Sequence, residues 1–297
     1  MDSASNRVLI TGLDSFTGRH LSAHLSNLGY QVFGTTLGKP DGERLLHCDI
    51  SNAQQCEQVV ASVLPDFVIH LAGISFVGHT QLEAFYQVNT IGTEYLLQAL
   101  AKITPSIRKI ILASSATVYG DQGLEVLDES LCPRPANHYG ISKLAMEFVA
   151  ANYFERLPII VVRPFNYTGV GQPEHFLVPK IVSHFKQRKS TIELGNLDVA
   201  REFNDISLAC DIYSKLLSSN AKSIVTNLCS GKAIPLLDIV TIMNEIAGYQ
   251  IKVKVNPAFV RPNEIAKLVG STTQLFSLIG NTESSDLRVT LQKMYDN

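Results

Sequence analysis

Tyr139 and Lys143 stand four positions apart, and on a helix that spacing puts a phenol and an ammonium on one face. A free phenol titrates at about pH 10, too high to exchange protons efficiently at neutrality, and a neighbouring cation favours its ionised form. In a chain with this many tyrosines and lysines the spacing arises by chance about half the time, so its position must carry the argument. Upstream, Ser114 and Ser115 close the apolar run Lys109 to Ala113. At the carboxyl end of a strand in an open parallel sheet, side chains face the ligand crevice, and the Ser115 hydroxyl can hydrogen-bond an oxygen on which negative charge grows. Ser115, Tyr139 and Lys143 can converge there.

The elements that would position these residues are visible from the start of the chain. Arg7 to Thr11 is a β-branched run ending in Gly12-Leu13-Asp14-Ser15-Phe16-Thr17-Gly18, after which Leu21, Leu25 and Leu28 recur at helical spacing. In such a strand–turn–helix unit, glycines let the backbone approach a pyrophosphate on the helix N-terminus, a role that Gly12 and Gly18 fit. Ser15 stands where a middle glycine is usual. Strand-like runs at Gln31 to Thr35, Phe67 to Ala72, Lys109 to Ala113 and Ile159 to Arg163 alternate with amphipathic stretches. That alternation means a parallel sheet covered on both faces.

The expected fold class is therefore α/β, a doubly wound parallel sheet of Rossmann type with a smaller C-terminal α/β substrate-binding lobe. The alternation fades after Arg163-Pro164. Residues 1–164 are expected to form the dinucleotide-binding domain, with a return segment near 201–230 that includes the run Ser223 to Cys229. Residues 165–297 are expected to be mainly substrate-binding.

At 297 residues, 45% hydrophobic and 18% charged, the chain suits a folded, enzyme-sized body, and a net charge of −2 offers no footprint for nucleic acid or anionic lipid. No run has the length of a membrane span, and no export signal is visible. Cys48, Cys56, Cys132, Cys210 and Cys229 show neither Cys-x-x-Cys nor metal-ligand spacing. A soluble cytoplasmic protein without metal, nucleic-acid or membrane partners is expected.

Seven motifs in order carry a resemblance. They are the turn Thr11 to Gly18, Asp49 after the third strand, His70-Leu71-Ala72-Gly73, Asn89 with Gly92-Thr93, Ser114-Ser115-Ala116-Thr117-Val118-Tyr119-Gly120, Tyr139 with Lys143, and Arg163-Pro164-Phe165-Asn166. Over nearly its whole length the chain resembles the extended short-chain dehydrogenase/reductase family of nucleotide-sugar epimerases, dehydratases and ketoreductases. The resemblance implies Ser115, Tyr139 and Lys143 as the catalytic residues, with Lys143 lowering the Tyr139 pKa, and a nicotinamide cofactor across the carboxyl ends of the strands. Gly12, Ser15, Phe16, Thr17, Gly18, Asp49, Ile50, Leu71, Ala72, Gly73, Tyr139, Lys143 and Pro164 would hold it, Lys143 through a ribose.

Sugar 4,6-dehydratases of this family carry an Asp-Glu pair before Val-Tyr-Gly, where this chain has Ala116 and Thr117, so elimination is not expected. The stretch Arg163 to Gln172, Gly195-Asn196-Leu197, Arg201-Glu202-Phe203-Asn204-Asp205, Cys229-Ser230-Gly231 and Arg261-Pro262-Asn263-Glu264 resemble the GDP-4-keto-6-deoxymannose reductases. This implies hydride transfer from NAD(P)H to C4 of an NDP-4-keto-6-deoxyhexose, the GDP-linked mannose derivative first. Phe76, Thr117, Asn166, Lys180, Asn196, Arg201, Arg261 and Glu264 would meet the substrate, the two arginines at its diphosphate. An NDP-hexose 4-epimerase with bound NAD and a non-enzymatic NADP(H)-binding sensor are the alternatives.

The second strand ends in Thr35 and Thr36, where an Asp or Glu would hold a ribose 2′-hydroxyl, and Lys39 follows. NADP(H) is therefore favoured and NAD(H) stays open. The family commonly pairs subunits through two helices, here Leu82 to Lys102 and Asn137 to Arg156. A homodimer is expected, with Phe85, Leu96, Leu100, Met146, Phe148 and Tyr153 as candidate contact residues.

Overall fold

The structure, a computed structural model, describes residues 6–75, 80–103, 107–260, 266–283 and 285–297. Phe76, Arg261 and Glu264 lie outside the described residues. Seven strands form the central sheet: β1 (Arg7–Thr11), β2 (Gln31–Thr36), β3 (Leu45–His47), β4 (Phe67–His70), β5 (Lys109–Ala113), β6 (Ile159–Pro164) and β7 (Ile224–Leu228). Their spatial order is β7-β6-β5-β4-β1-β2-β3 and every neighbouring pair is parallel. The order reverses between β1 and β4, and the crevice above their carboxyl ends is where a doubly wound sheet takes its ligand.

Two-residue periodicity explains why these strands are apolar throughout. Leu9, Val68, Ile110, Leu112, Ile159 and Val161 face a core closed by α2 (Ala53–Val63), α3 (Gly92–Ala101) and α4 (His138–Ala151). Val8, Ile10, Ile69, Ile111, Ile160 and Val162 face the opposite core, closed by α1 (Phe16–Asn27) and α6 (Ile206–Ser218). Both faces are dry, so no polar alternation survives. A third core binds α5 (Leu177–Lys186), α7 (Leu236–Ala247) and α9 (Leu287–Asp296) through Ile181, Phe185, Ile239, Met243 and Leu291. The paired strands 191–194 and 252–255 flank it.

Several sequence expectations shift. Leu28, expected on the buried stripe of α1, is 56% exposed, because the helix stops there and Gly29 turns with φ 85°. β4 ends at His70 rather than Ala72: the Leu71 amide is shared between Thr11 O and Thr11 Oγ1, and the Ala72 amide turns to Thr11 Oγ1. The return to the central sheet comprises α6 and β7 but also α8 (Thr273–Ile279), whose Leu275 joins the α6 core. The first half in turn sends Val126–Leu127 out to pair with Lys267–Gly270.

Of the residues expected at a subunit contact, Phe85, Leu96, Leu100, Met146 and Tyr153 are buried within the subunit, whereas Phe148 is 67% exposed. Leu96, Leu100, Met146 and Tyr153 belong to the core between these helices and the sheet, and Phe85, in the helix Leu82–Phe85, packs against Tyr139. No described helix is long and apolar enough to cross a membrane. All five cysteines are free.

Candidate functional site

The turn after β1 is built to leave backbone exposed. Gly12 takes φ 68°, and a Cβ there would stand 3.0 Å from Ala72 Cα. At Gly18 a Cβ would meet the Gly12 and Leu13 carbonyl oxygens, each at 2.5 Å. Ser15, the departure from the glycine pattern, serves as N-cap of α1, its Oγ accepting from Gly18 N at 3.1 Å. Phe16 stacks near Tyr167, centroids 6.3 Å apart, and Thr17 Oγ1 lies 2.9 Å from the Tyr167 hydroxyl. The turn thereby reaches the stretch after β6. Its donors, at a helix N-terminus, fit a dinucleotide pyrophosphate.

Beside the turn, a buried chain of hydroxyls joins β1 to β4. Thr11 Oγ1 accepts from the Leu71 and Ala72 amides, so its own proton goes to His70 Nδ1 at 2.7 Å. His70 Nε2 then donates to Thr93 Oγ1 at 2.9 Å, and Thr93 donates to Asn89 O at 2.7 Å. Burial, reinforced by Lys143, pushes the imidazole down to about 3, so His70 is a neutral structural link. Asn89 lies in a π-helical stretch, Tyr86–Ile91, of the kind that often marks functional sites. Its side chain binds both polar atoms of Ile74 and the Ser142 hydroxyl. At Gly73 a Cβ would stand 2.8 Å from Asn89 Oδ1 and 3.3 Å from Lys143 Nζ, so the glycine leaves room beside that ammonium.

Asn137 caps α4 by accepting from Gly140 N at 2.9 Å, which places Tyr139 and Lys143 in the first turns of the helix. Lys143 Nζ donates to Ala113 O at 2.8 Å, at the end of β5. Ser115 continues from that strand, accepts from Thr117 N at 3.2 Å and Thr117 Oγ1 at 2.9 Å, and is near enough to the Tyr139 phenol to act on its pKa. The three catalytic candidates thus converge, with Thr117 shaping the serine.

Their electrostatics differ from expectation. Burial raises the Tyr139 pKa, opposed by Ser115, so the net shift is upward rather than the lowering expected from Lys143, whose ammonium donates to Ala113 O. Burial also lowers Lys143 to about 8, opposed by Glu147. Tyr139 is therefore a protonated donor at neutral pH.

Glu147, which the sequence reading passed over, lies four residues beyond Lys143, a helical spacing that could have drawn notice. Its carboxylate accepts from Ser114 Oγ at 2.5 Å and from Arg163 at 3.0 and 2.7 Å. One buried acid therefore ties α4, the end of β5 and β6 together. A second missed carboxylate, Asp14, accepts from Thr36 Oγ1 at 2.6 Å across the mouth of the glycine turn.

The remaining candidates divide. Ile50 is buried, and Asp49 accepts from Ser51 N and Oγ at 2.9 and 2.7 Å. Pro164 ends β6 opposite Leu228. Asn166 is exposed just past it, its carbonyl accepting from Asn204 N at 3.1 Å. Lys180 donates to Glu193 O at 2.9 Å and lies 4.4 Å over the Phe259 ring, while Arg201 donates to Ala200 O at 2.9 Å and Ala266 O at 3.2 Å. Lys180 is on α5 and Asn196 follows the strand 191–194, and among the described residues none of these hydrogen bonds of Lys180 and Arg201 reaches Ser115, Tyr139 or Lys143. Among the described residues no group of three or more His, Cys, Asp or Glu side chains is placed to hold a metal ion.

Comparison with known proteins agrees with this geometry. Residues 8–229 match the NAD dependent epimerase/dehydratase family. The chain is 36% identical to GDP-6-deoxy-D-talose 4-dehydrogenase of Aggregatibacter actinomycetemcomitans, over 98% of this chain and 97% of that protein. It is 32% identical to GDP-6-deoxy-D-mannose reductase of Pseudomonas aeruginosa, over 93% and 91%. The solved structure of RMD from Pseudomonas aeruginosa complexed with NADPH superposes with a TM-score of 0.86 at 27% identity, covering 98% of each chain. With its parallel sheet, its capped glycine turn and its Ser-Tyr-Lys centre, the chain belongs to the NAD dependent epimerase/dehydratase family, the extended short-chain dehydrogenase/reductases.

Proposed function

We propose that the protein is a nucleotide-sugar 4-oxidoreductase that reduces C4 of an NDP-4-keto-6-deoxyhexose, the GDP-linked sugar first. One observation carries the reading: a Tyr139 phenol kept protonated by burial, beside Ser115 and one helical turn before Lys143. The bound nicotinamide supplies the hydride. Ser115 holds the ketone oxygen, Tyr139 gives it a proton, and the Lys143 charge steadies the phenolate left behind. The relatives named for GDP-6-deoxyhexoses support the guanine nucleotide. In this reading residues 1–164, with the return near 201–230, bind the dinucleotide, and 165–297 mainly the sugar nucleotide. Thr117 and Asn166 flank the reacting end, while Lys180, Asn196 and Arg201 serve the nucleotide end.

The test mixes protein and NADH or NADPH with GDP-, dTDP- and UDP-4-keto-6-deoxyhexoses and follows the loss of dinucleotide absorbance. Rapid loss with the GDP sugar is expected. Interconversion of 4-hydroxy sugars without net dinucleotide loss would establish a 4-epimerase instead, and binding without any turnover a sensor.

The pH dependence follows from Lys143. Its ammonium titrates at about 8, so kcat/KM for ketone reduction should hold below that pH and fall above it. Lys143→Met should give a low, flat profile in the same range. A wild-type rate that climbs through pH 8 would contradict the role of the cation.

The homodimer is part of the same proposal. Ile141 (39% exposed) and Phe148 (67%) lie seven apart on α4, and Ile91 (37%) is on the adjoining helical stretch. Exposed apolar side chains on neighbouring helices suit an isologous helix pairing. Sedimentation at micromolar protein should show a dimer, and Phe148→Asp a monomer that keeps its catalytic residues. A monomeric wild type would remove the interface and leave the chemistry untouched.

A further inference from the structure

The carboxyl end of β2 is where a doubly wound sheet meets the adenosine ribose, and an acid placed there accepts a 2′-hydroxyl. Both threonines ending β2 are committed elsewhere. Thr35 and Thr36 are only 3% and 4% exposed. Thr35 Oγ1 accepts from Gly12 N at 3.1 Å, and Thr36 Oγ1 accepts from Gly38 N at 2.9 Å while giving its proton to Asp14. Asp14, by contrast, is exposed, and its Oδ1 makes no hydrogen bond among the described residues. The Thr36 bond to Oδ2 fixes the carboxylate at the strand end, on the glycine-turn side.

We infer that Asp14 selects the dinucleotide by its 2′ group, accepting the hydroxyl of NAD(H) and repelling the phosphate of NADP(H). This rests on the dinucleotide-binding reading above and reverses the preference expected from Thr35 and Thr36. That expectation looked for a carboxylate within β2, whereas the turn between β1 and α1 supplies one from outside the strand. The nearby cations that would favour a phosphate are Lys39, on the loop after β2, and Arg44, which lies beside the middle of the strand with its carbonyl accepting from Gly34 N and its guanidinium 5.9 Å over the Phe33 ring. Neither is in hydrogen-bond contact with Asp14.

Fluorescence titration of the full chain with NADH and with NADPH tests the inference, alongside Asp14→Asn and Asp14→Ala. Wild type should bind NADH at least about tenfold more tightly than NADPH, a charge-repulsion effect of ordinary size at a solvent-exposed site. Asp14→Asn keeps the shape and the Thr36 partner but removes the charge, so it should narrow the ratio about tenfold, mainly through tighter NADPH binding. Thermal melting should show both variants folded, as the side chain is exposed. Wild type binding NADPH as tightly as NADH, or a ratio unmoved in both variants, would overturn the role of Asp14 and leave the dinucleotide site standing. Failure of wild type to bind either would overturn the dinucleotide reading and this inference with it.

Discussion

Tyr139→Phe is expected to slow ketone reduction by at least about 10²-fold, the scale of general acid catalysis, while leaving the fold and dinucleotide affinity near wild type. The substitution deletes one hydroxyl. The ring keeps its packing against Phe85, centroids 6.2 Å apart, and Lys143 keeps its bond to Ala113 O. What is lost is the proton that burial keeps on the phenol and that Ser115 helps direct. Single-turnover kinetics is the measurement, because product release cannot mask the chemical step there. A rate within a few-fold of wild type would remove Tyr139 as the acid.

Glu147→Ala should be the most destabilising single change at the site. Arg163 and Glu147 have side chains only 5% and 6% exposed, and Arg163 Nη1 has no hydrogen-bond partner among the described residues. Removing the carboxylate leaves a buried guanidinium uncompensated, a change that typically costs about 3–5 kcal/mol. It also frees Ser114, whose hydroxyl bonds Glu147, and so loosens the segment that presents Ser115 and receives Lys143. Chemical denaturation should register the loss. Glu147→Leu combined with Arg163→Met should recover much of it, since replacing both charges leaves neither ion stranded. A loss below about 1 kcal/mol for Glu147→Ala would show that the pair is not the tie described.

Local chemistry explains what was legible in the sequence. The glycine turn, the apolar strands and the Tyr139–Lys143 spacing are short-range signals, and each lies where the pattern put it. Long-range pairing is different: Val126–Leu127 is too short to show any period, and its partner at 267–270 lies far along the chain. The tie between Glu147 and Arg163 needs β6 to lie beside β5, a fact of sheet order rather than of spacing. The direction of the Tyr139 pKa needed burial, which outweighs a cation one turn away whose ammonium is engaged elsewhere. Likewise, Asp14 gains meaning only once the turn folds onto the end of β2.

The most direct test of the proposed oxidoreductase is label transfer. Protein is incubated with GDP-4-keto-6-deoxymannose and dinucleotide carrying deuterium at nicotinamide C4 on both faces, and the sugar product is read by NMR and mass spectrometry. One deuterium at sugar C4, with one dinucleotide oxidised per product, is the predicted result. Product without deuterium at C4, or sugar interconverted with the dinucleotide unconsumed, would contradict it.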